Sequence, residues 1–476
     1  VTLVLGLDLG STTTKAVLAD VSEGVVVVHA ARRPTPTGVD ALIDTAAAVM
    51  RESSASVSGR IAAVGIAAMG ESGAPIERSG RALTPLLRWD RPLDRAHLDR
   101  LLACHPGLSA ATGIPATTKP AAVVLTALRA ERPDVFAAMR WWVGAADLVA
   151  HALTGVRATD HTLAARTMMA SGDGDAWDPD VLAGLGLSSN AMPAVRPPGE
   201  QVALTTDAAA AFGLTSGVPV HIAGHDHVVG AWAAGVRLAG SVADSLGTSE
   251  AIIRVADAAD AASAVAAGFA VGRTVDGTAR TILGGSPACG ALLARWETEH
   301  PDDRVTARLQ RMAPDSWEAA QTLVLPYPSG RQCPAPDPAA RLRVISGADA
   351  ADRARGLLQS LVCHARWMRA TADDLAGSPT TGVTVLGSLA ERIAVWAPLT
   401  AAAGVPTWLC ATAEPVATGA ALLAGVRTGV ASPDLALESH RVQPLHTAQF
   451  DDAYRRFLAA ALEASSELEP PREGQS

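Results

Sequence analysis

Polar and apolar residues alternate in blocks along this chain, and the blocks predict its elements. Val1 to Leu9 is an apolar run that ends in Asp8-Leu-Gly-Ser-Thr-Thr-Thr-Lys15, and a second apolar run, Ala16 to Ala19, follows at once. Strand, tight Gly/Ser/Thr turn, strand is the pattern of a β-hairpin. Val25 to His29 supplies a third strand, and Ile61 to Ala68 another. Between them, Gly38 to Arg51 places Leu42, Ile43, Ala46, Val49 and Met50 at helical spacing. Leu98 to Thr154 reads as mainly helical, with breaks at Pro106 and Thr112 and a last helix from Ala145 to Leu153. Val218 to Ala223 is a strand that runs into Gly224-His225-Asp226-His227, and Val228 to Val236 is a small-residue helix. Further on, Ala351 to Leu375 is a long amphipathic helix, Val383 to Leu386 a strand ending at Gly387-Ser388, and Glu414 to Gly425 an alanine-rich helix.

A second hairpin pattern, Ser241 to Val255, shares its turn chemistry with the first. Asp8-Leu-Gly-Ser-Thr and Asp244-Ser-Leu-Gly-Thr-Ser both set an acid at a strand end, then glycine and hydroxyl residues, then an apolar strand. Such an internal repeat predicts two domains of related fold, with the boundary between Ala223 and Gly240.

Composition narrows the class. The 476 residues are 49% hydrophobic and 18% charged, which excludes a disordered or collagen-like chain and allows sizeable cores. Mean hydropathy is +0.20, yet no uninterrupted run of about 18 apolar residues occurs, so no membrane partner is expected. The net charge is −9, and the only lysines are Lys15 and Lys119. Without a basic tract, nucleic acid is not an expected partner. The cysteines Cys104, Cys289, Cys333, Cys363 and Cys410 are widely spaced and form no CxxC, which suits reduced thiols in a cytoplasmic protein. The N-terminal run lacks a basic leader and cleavage site and reads as a buried strand.

Several residues could carry chemistry. In Gly10-Ser11-Thr12-Thr13-Thr14-Lys15, glycine permits a tight turn whose N–H groups and hydroxyls can converge on phosphate oxygens. Asp8 could hold Mg²⁺ through water. An ordinary polar hairpin turn is the competing reading. The spacing is not that of a GxxxxGK[ST] loop. Gly247-Thr248-Ser249 offers a second phosphate-sized turn, and together the two suggest a nucleotide held in a cleft between domains. Asp226, at the carboxyl end of a strand, suits a general base, against an Asp that merely caps the next helix. His225 and His227 flank it, but strand alternation would point both away from Asp226, and no further ligand has metal spacing. In Met69-Gly70-Glu71-Ser72-Gly73, Glu71 could accept hydrogen bonds from sugar hydroxyls or simply face solvent. Trp89-Asp90 sets an aromatic surface beside an acid, although a buried core tryptophan reads equally well. Asp160 and Arg166 read as a structural ion pair without chemistry. GxSxG, HExxH and CxxC are absent, so hydrolase and zinc readings lack support.

In this order the motifs resemble the FGGY carbohydrate kinases of the actin and hexokinase superfamily, over nearly the whole chain. Leu7 to Lys15 is similar to the family's first phosphate loop. Met69 to Gly73, Gly80 to Pro85 and Trp89-Asp90 are similar to its sugar-binding stretch, and Ala145 to Gly155 with Thr159 to Thr167 to its helical middle. Ala223 to His227 falls where these enzymes carry their catalytic aspartate, Asp244 to Thr248 at the second phosphate loop, and Gly330 to Pro338 at another signature. Gly387 and Thr418-Gly419-Ala420 fall in the adenosine region, where Ser388, Arg392 and Ile393 depart from the usual glycine- and asparagine-containing pattern. The resemblance implies an α/β fold of two duplicated ribonuclease-H-like (actin-like ATPase) domains around a central cleft: residues 1–235, then 236–468, with a disordered tail at 469–476. It implies ATP and Mg²⁺ as cofactors and a small carbohydrate as substrate; it leaves the oligomeric state open, a homodimer being common among such proteins. By the same resemblance Asp226 is the catalytic base and Asp8 orients hydrated Mg²⁺. Gly10, Ser11, Thr12, Thr13, Lys15, Gly247, Thr248, Gly290, Gly387 and Ser388 join Asp8 around the nucleotide. Met69, Gly70, Glu71, Trp89, Asp90 and His227 join Asp226 around the sugar. The implied reaction is phosphorylation of a hydroxyl of a ketose, polyol or sugar acid. The alternatives are a xylulokinase- or glycerol-kinase-like activity and a catalytically weak sugar-binding or regulatory member.

Overall fold

Strand β1 (Leu3–Leu9) is buried at every residue, as its apolar run requires. It pairs antiparallel with β2 (Thr13–Asp20), which pairs antiparallel with β3 (Val26–Pro34). On its other side β1 pairs parallel with β4 (Ile61–Ala68), and β4 pairs parallel with the strand Pro219–His225. A short antiparallel strand, Ala203–Leu204, closes that edge. This computed structural model describes residues 1–57, 59–345 and 349–466, and the tail expected at 469–476 lies outside them. The described chain divides into two compact units. The first comprises Val1–Gly235, Val271–Arg280 and Thr412–Glu438, and the second Val236–Ala270, Thr281–Ala411 and the chain from Ser439.

In the first unit, helix α1 (Val39–Ser54) contributes Leu42, Ala46, Val49 and Met50 to a core shared with Leu5, Leu7, Leu18 and Ile66. A second helix, Pro415–Arg427, lies directly on β1 and β4. A methyl group added at Gly6 would come within 1.9 Å of the Ala417 carbonyl oxygen, and one at Gly65 within 1.9 Å of that of Ala420. Those glycines, and the alanine-rich face above them, allow helix and sheet to approach at backbone distance. Thr418-Gly419-Ala420 thus serves this contact in the first unit. The Thr418 side chain is buried and donates to the carbonyls of Ala413 and Glu414. Residues 271–280 and 412–438, placed by the sequence reading in the C-terminal half, pack within the first unit.

The second unit repeats the strand order. Strand Ser241–Leu246 pairs antiparallel with Glu250–Ala256 and parallel with Gly382–Leu386, which pairs parallel with Thr407–Cys410; Ser439–Arg441 closes the edge antiparallel. Arg280–Ser286 flanks Glu250–Ala256. Both units are therefore α/β, built around an antiparallel hairpin extended by parallel strands. The long helix spans Ala350–Ala376 and is capped by Asp349, whose side chain accepts from the Asp352 N–H.

Most predicted elements stand within a few residues of their expected ends. One exception is the strand Trp141–Gly144 inside the segment read as mainly helical. It pairs with Gly73–Ile76, a partner far away in sequence that local periodicity does not reveal. Among the described residues no helix is long and apolar enough to cross a membrane.

Candidate active site

The carboxyl ends of β1, β4 and Pro219–His225 lie side by side in the first sheet, and each leads into one of the polar motifs. Asp8 stands one residue from the end of β1. The hairpin register sets it opposite Lys15, whose Nζ lies 3.8 Å from Asp8 Oδ2 and 2.7 Å from Glu414 Oε2. Glu414 precedes Pro415 at the start of the helix Pro415–Arg427 and has a left-handed backbone, φ 52°. Burial pushes the Asp8 carboxyl up to about 7; Lys15 opposes the rise, while Asp226 and Glu414 add to it. Asp8 Oδ1 is buried and has no hydrogen-bond partner.

Asp226 opens the helix Asp226–Ala233 directly after the strand. Its Oδ1 accepts the His227 N–H at 2.7 Å and lies 3.3 Å from His225 Nε2. The strand ends at His225, so side-chain alternation stops there and His225 turns toward Asp226, contrary to the expectation from the sequence. Burial, with the nearby charges of Arg166 and His227, holds His225 well below the usual histidine range. Burial likewise raises Asp226, opposed by His227 and its N–H, assisted by Glu71 and opposed by Arg166. No cluster of three or more His, Cys, Asp or Glu among the described residues could hold a metal ion by itself.

Glu71 follows β4 with φ 58°, a conformation uncommon outside glycine. Its Oε1 accepts from Arg166 Nε at 2.8 Å and also from Arg166 Nη2. Space at Gly70 is tight: a methyl group would sit 3.1 Å from the His225 ring and 3.3 Å from Arg166 Cγ. Arg166 was expected to pair with Asp160. Asp160 instead caps its own helix, His161–Ala165, accepting the Thr162 N–H and hydroxyl, and it lies 3.9 Å from Arg427. Arg166 leaves the opposite end of that short helix, out of reach of the cap.

Trp89 is half-buried, and its indole N–H donates to Ser11 Oγ at 2.7 Å, tying the segment beyond the strand Gly73–Ile76 to the first hairpin turn. Ser11 passes its own proton toward Met69 Sδ. Lys119 Nζ stands 5.0 Å from the centre of the Trp89 ring. Thr12 is exposed, Thr13 begins β2, and the Gly10 carbonyl accepts from Thr35. Asp90 is exposed, with both oxygens taken by Arg88.

The second unit gathers its own residues. Gly247 and Thr248 are exposed at the hairpin turn, and the carbonyl of Gly247 accepts the Gly290 N–H at the start of the helix Gly290–Glu299. Gly387 has φ 106°, and a methyl group there would lie 2.3 Å from the Leu246 carbonyl oxygen. Ser388 is exposed and begins the helix Ser388–Arg392. Asp244 and Glu250 are fully buried and no oxygen of either has a hydrogen-bond partner. Burial raises Asp244 to about 7 and Glu250 well above the carboxylate range.

The sequence reading missed Arg166, Glu414 and Lys119 as neighbours of these residues. Only Glu414 carried a signal, since it precedes a proline at a helix start.

The model of the FGGY carbohydrate kinase N-terminal domain matches residues 3–233, and that of the C-terminal domain matches residues 242–428. The chain belongs to the FGGY family of carbohydrate kinases. The L-fuculokinase of Haemophilus influenzae is 33% identical over 181 residues, covering 37% of this chain and 38% of that protein. The L-fuculokinase of Escherichia coli K12 is 27% identical over 253 residues, 49% of this chain and 53% of that protein. The chain thus aligns with about half the length, or less, of these FGGY relatives. A "xyloylose kinase" from Brucella ovis superposes with a TM-score of 0.85 at 22% identity, covering 98% of this chain and all of that one, 100%. A gluconate kinase from Lactobacillus acidophilus superposes with a TM-score of 0.82 at 18% identity, covering 98% of each chain. At these identities the structural likeness concerns the FGGY fold and leaves the sugar open.

Proposed function

We propose that this protein phosphorylates a hydroxyl group of a small carbohydrate (a ketose, polyol or sugar acid) from ATP, with Asp226 as general base. The observation that carries this reading is the placement of Asp8 and Asp226 at the ends of strands in one sheet. Asp8 is buried and Asp226 half-buried, desolvation pushes both toward higher pKa, and the charge of Asp226 adds to the rise at Asp8. The unpartnered, buried Asp8 Oδ1 fits a hydrated Mg²⁺, a hard cation that takes carboxylate oxygen and keeps several waters. When bound, MgATP supplies the phosphoryl group and the positive charge that neutralises its oxygens.

The chain's own residues do the rest. Asp226 accepts the proton of the substrate hydroxyl; the His227 N–H and the neighbouring His225 orient its carboxylate. Burial makes Asp226 a better proton acceptor than an exposed aspartate. Because it must be unprotonated to act, the rate falls as pH drops through its raised pKa. Glu71 accepts hydrogen bonds from substrate hydroxyls, and Trp89, held by Ser11, offers a flat apolar face. Lys15 holds Asp8 in place. Thr12 and Thr13 are assigned to phosphate oxygens by the same reading, as are Gly247 and Thr248 in the second unit.

The test is an ADP-release assay with MgATP over ketoses, polyols and sugar acids, run beside Asp226→Asn. Turnover of at least one compound is expected, reduced roughly 10²- to 10⁴-fold in the variant. Absence of turnover across the panel, with no nucleotide binding by calorimetry, overturns the reading and favours a non-catalytic member.

A further inference from the structure

Arg166 stands outside every role assigned so far, yet its surroundings are unusually specified. It spends two N–H groups, Nε and Nη2, on a single oxygen, Oε1 of Glu71. A guanidinium facing a carboxylate squarely would engage both oxygens. Glu71 is held in a left-handed conformation that a glutamate would not choose unaided. The Glu71 side chain is 7% exposed and that of Arg166 17%. Gly70 clears the space in which the His225 ring, the Arg166 stem and the Glu71 backbone meet. The position of Arg166 is itself prepared. It ends the short helix His161–Ala165, whose cap, Asp160, is locked by Thr162, and the hydroxyl of Thr162 also accepts the His225 N–H at 2.8 Å. One small scaffold thus sets Arg166, His225 and, next along the chain, Asp226.

We propose that Arg166 is a positioning residue for the substrate: by holding Oε1, it fixes Glu71 in its left-handed turn and presents Oε2 as the acceptor for a substrate hydroxyl beside Asp226. This rests on the proposed role of Asp226 and Glu71. The competing role for Arg166 is simple adhesion between the loop after β4 and the helix. Adhesion predicts a loss of stability that any substitution produces and that does not distinguish sugar from nucleotide.

The test combines a ligand-free and a kinetic measurement. In a crystal structure of Arg166→Ala without substrate, Glu71 is expected to leave its left-handed conformation; an unchanged Glu71 overturns the proposal whatever the substrate proves to be. With a sugar that the wild-type enzyme turns over, Arg166→Ala is expected to raise the sugar KM roughly ten- to hundredfold while the KM for ATP stays within about twofold. Arg166→Lys keeps a cation but not the two-donor grip, and is expected to restore thermal stability with only partial recovery of the sugar KM. Equal loss of sugar and nucleotide affinity, or full kinetic rescue by lysine, overturns the proposal. Failure of the wild type to turn over any sugar bears on the proposed reaction, and the crystal structure of the variant still decides the role of Arg166.

Discussion

Asp8 and Asp244 occupy matching places in two hairpins of the same topology, and their surroundings are opposite. Asp8 lies one residue from the end of its strand, faces Lys15 across the register and keeps one oxygen unpartnered. Asp244 lies two residues from the end of its strand and faces Ile252. Both of its oxygens are buried without a partner, as are those of Glu250. Repetition of the backbone therefore did not repeat the chemistry. Burial raises both carboxyls to about 7; a shift of one residue along a strand, with a cation opposite in one case and an isoleucine in the other, separates a carboxylate with a charged neighbour from one with no donor beside it.

Substitutions can break or sharpen this contrast. The largest effect belongs to Asp8→Asn, expected to lower kcat by about a hundredfold or more under the proposed role of Asp8 toward hydrated Mg²⁺. Asp244→Asn should leave kcat within about threefold, because an amide fills the same space without a charge to bury. A comparable loss of kcat in both variants would erase the distinction.

Next is stability. Asp244 and Glu250 have folded-state pKa values raised by burial, Asp244 to about 7 from the model-compound 3.8. Below the unfolded value both states carry the proton and nothing is lost; as pH rises through the folded value, the stability associated with the protonated form disappears. Asp244→Asn with Glu250→Gln should therefore match wild type near pH 4 and exceed it at pH 8, by about 1–3 kcal/mol. Denaturant unfolding at both pH values checks this, and a destabilised double variant at pH 8 would count against it.

The smallest effect is that of Lys15→Met. Removing the cation leaves Asp8 and Glu414 facing each other, and is expected to cost about 1–2 kcal/mol at pH 7.5, discounted for partial exposure. The loss should shrink at pH 5, where Asp8 is protonated; equal losses at both pH values would show that packing rather than charge is responsible.

These contrasts also mark what the sequence could reveal. The strands β1 and β4 and the helix Ala350–Ala376 were legible because apolar runs and helical spacing are local properties. Asp8, Glu71 and Asp226 were legible because each follows an apolar run beside glycine. The partners were not: Arg166 reaches Glu71 across 95 residues, and the Glu414 carboxylate meets Lys15 from the far end of the chain. Nor does the pattern around Asp244 announce that its oxygens lack donors, since the alternation of one strand does not say what the sheet beyond it supplies.

The helix Pro415–Arg427 seats on Gly6 and Gly65, so strands β1 and β4 are covered by a helix synthesised long after them. A nascent chain emerging from the ribosome can form β1 to β4, but the face at Gly6 and Gly65 stays uncovered and Lys15 lacks Glu414 until more than 400 residues have been translated. The first unit therefore cannot close until most of the second has been translated, so the two units do not fold one after the other in the order in which they begin.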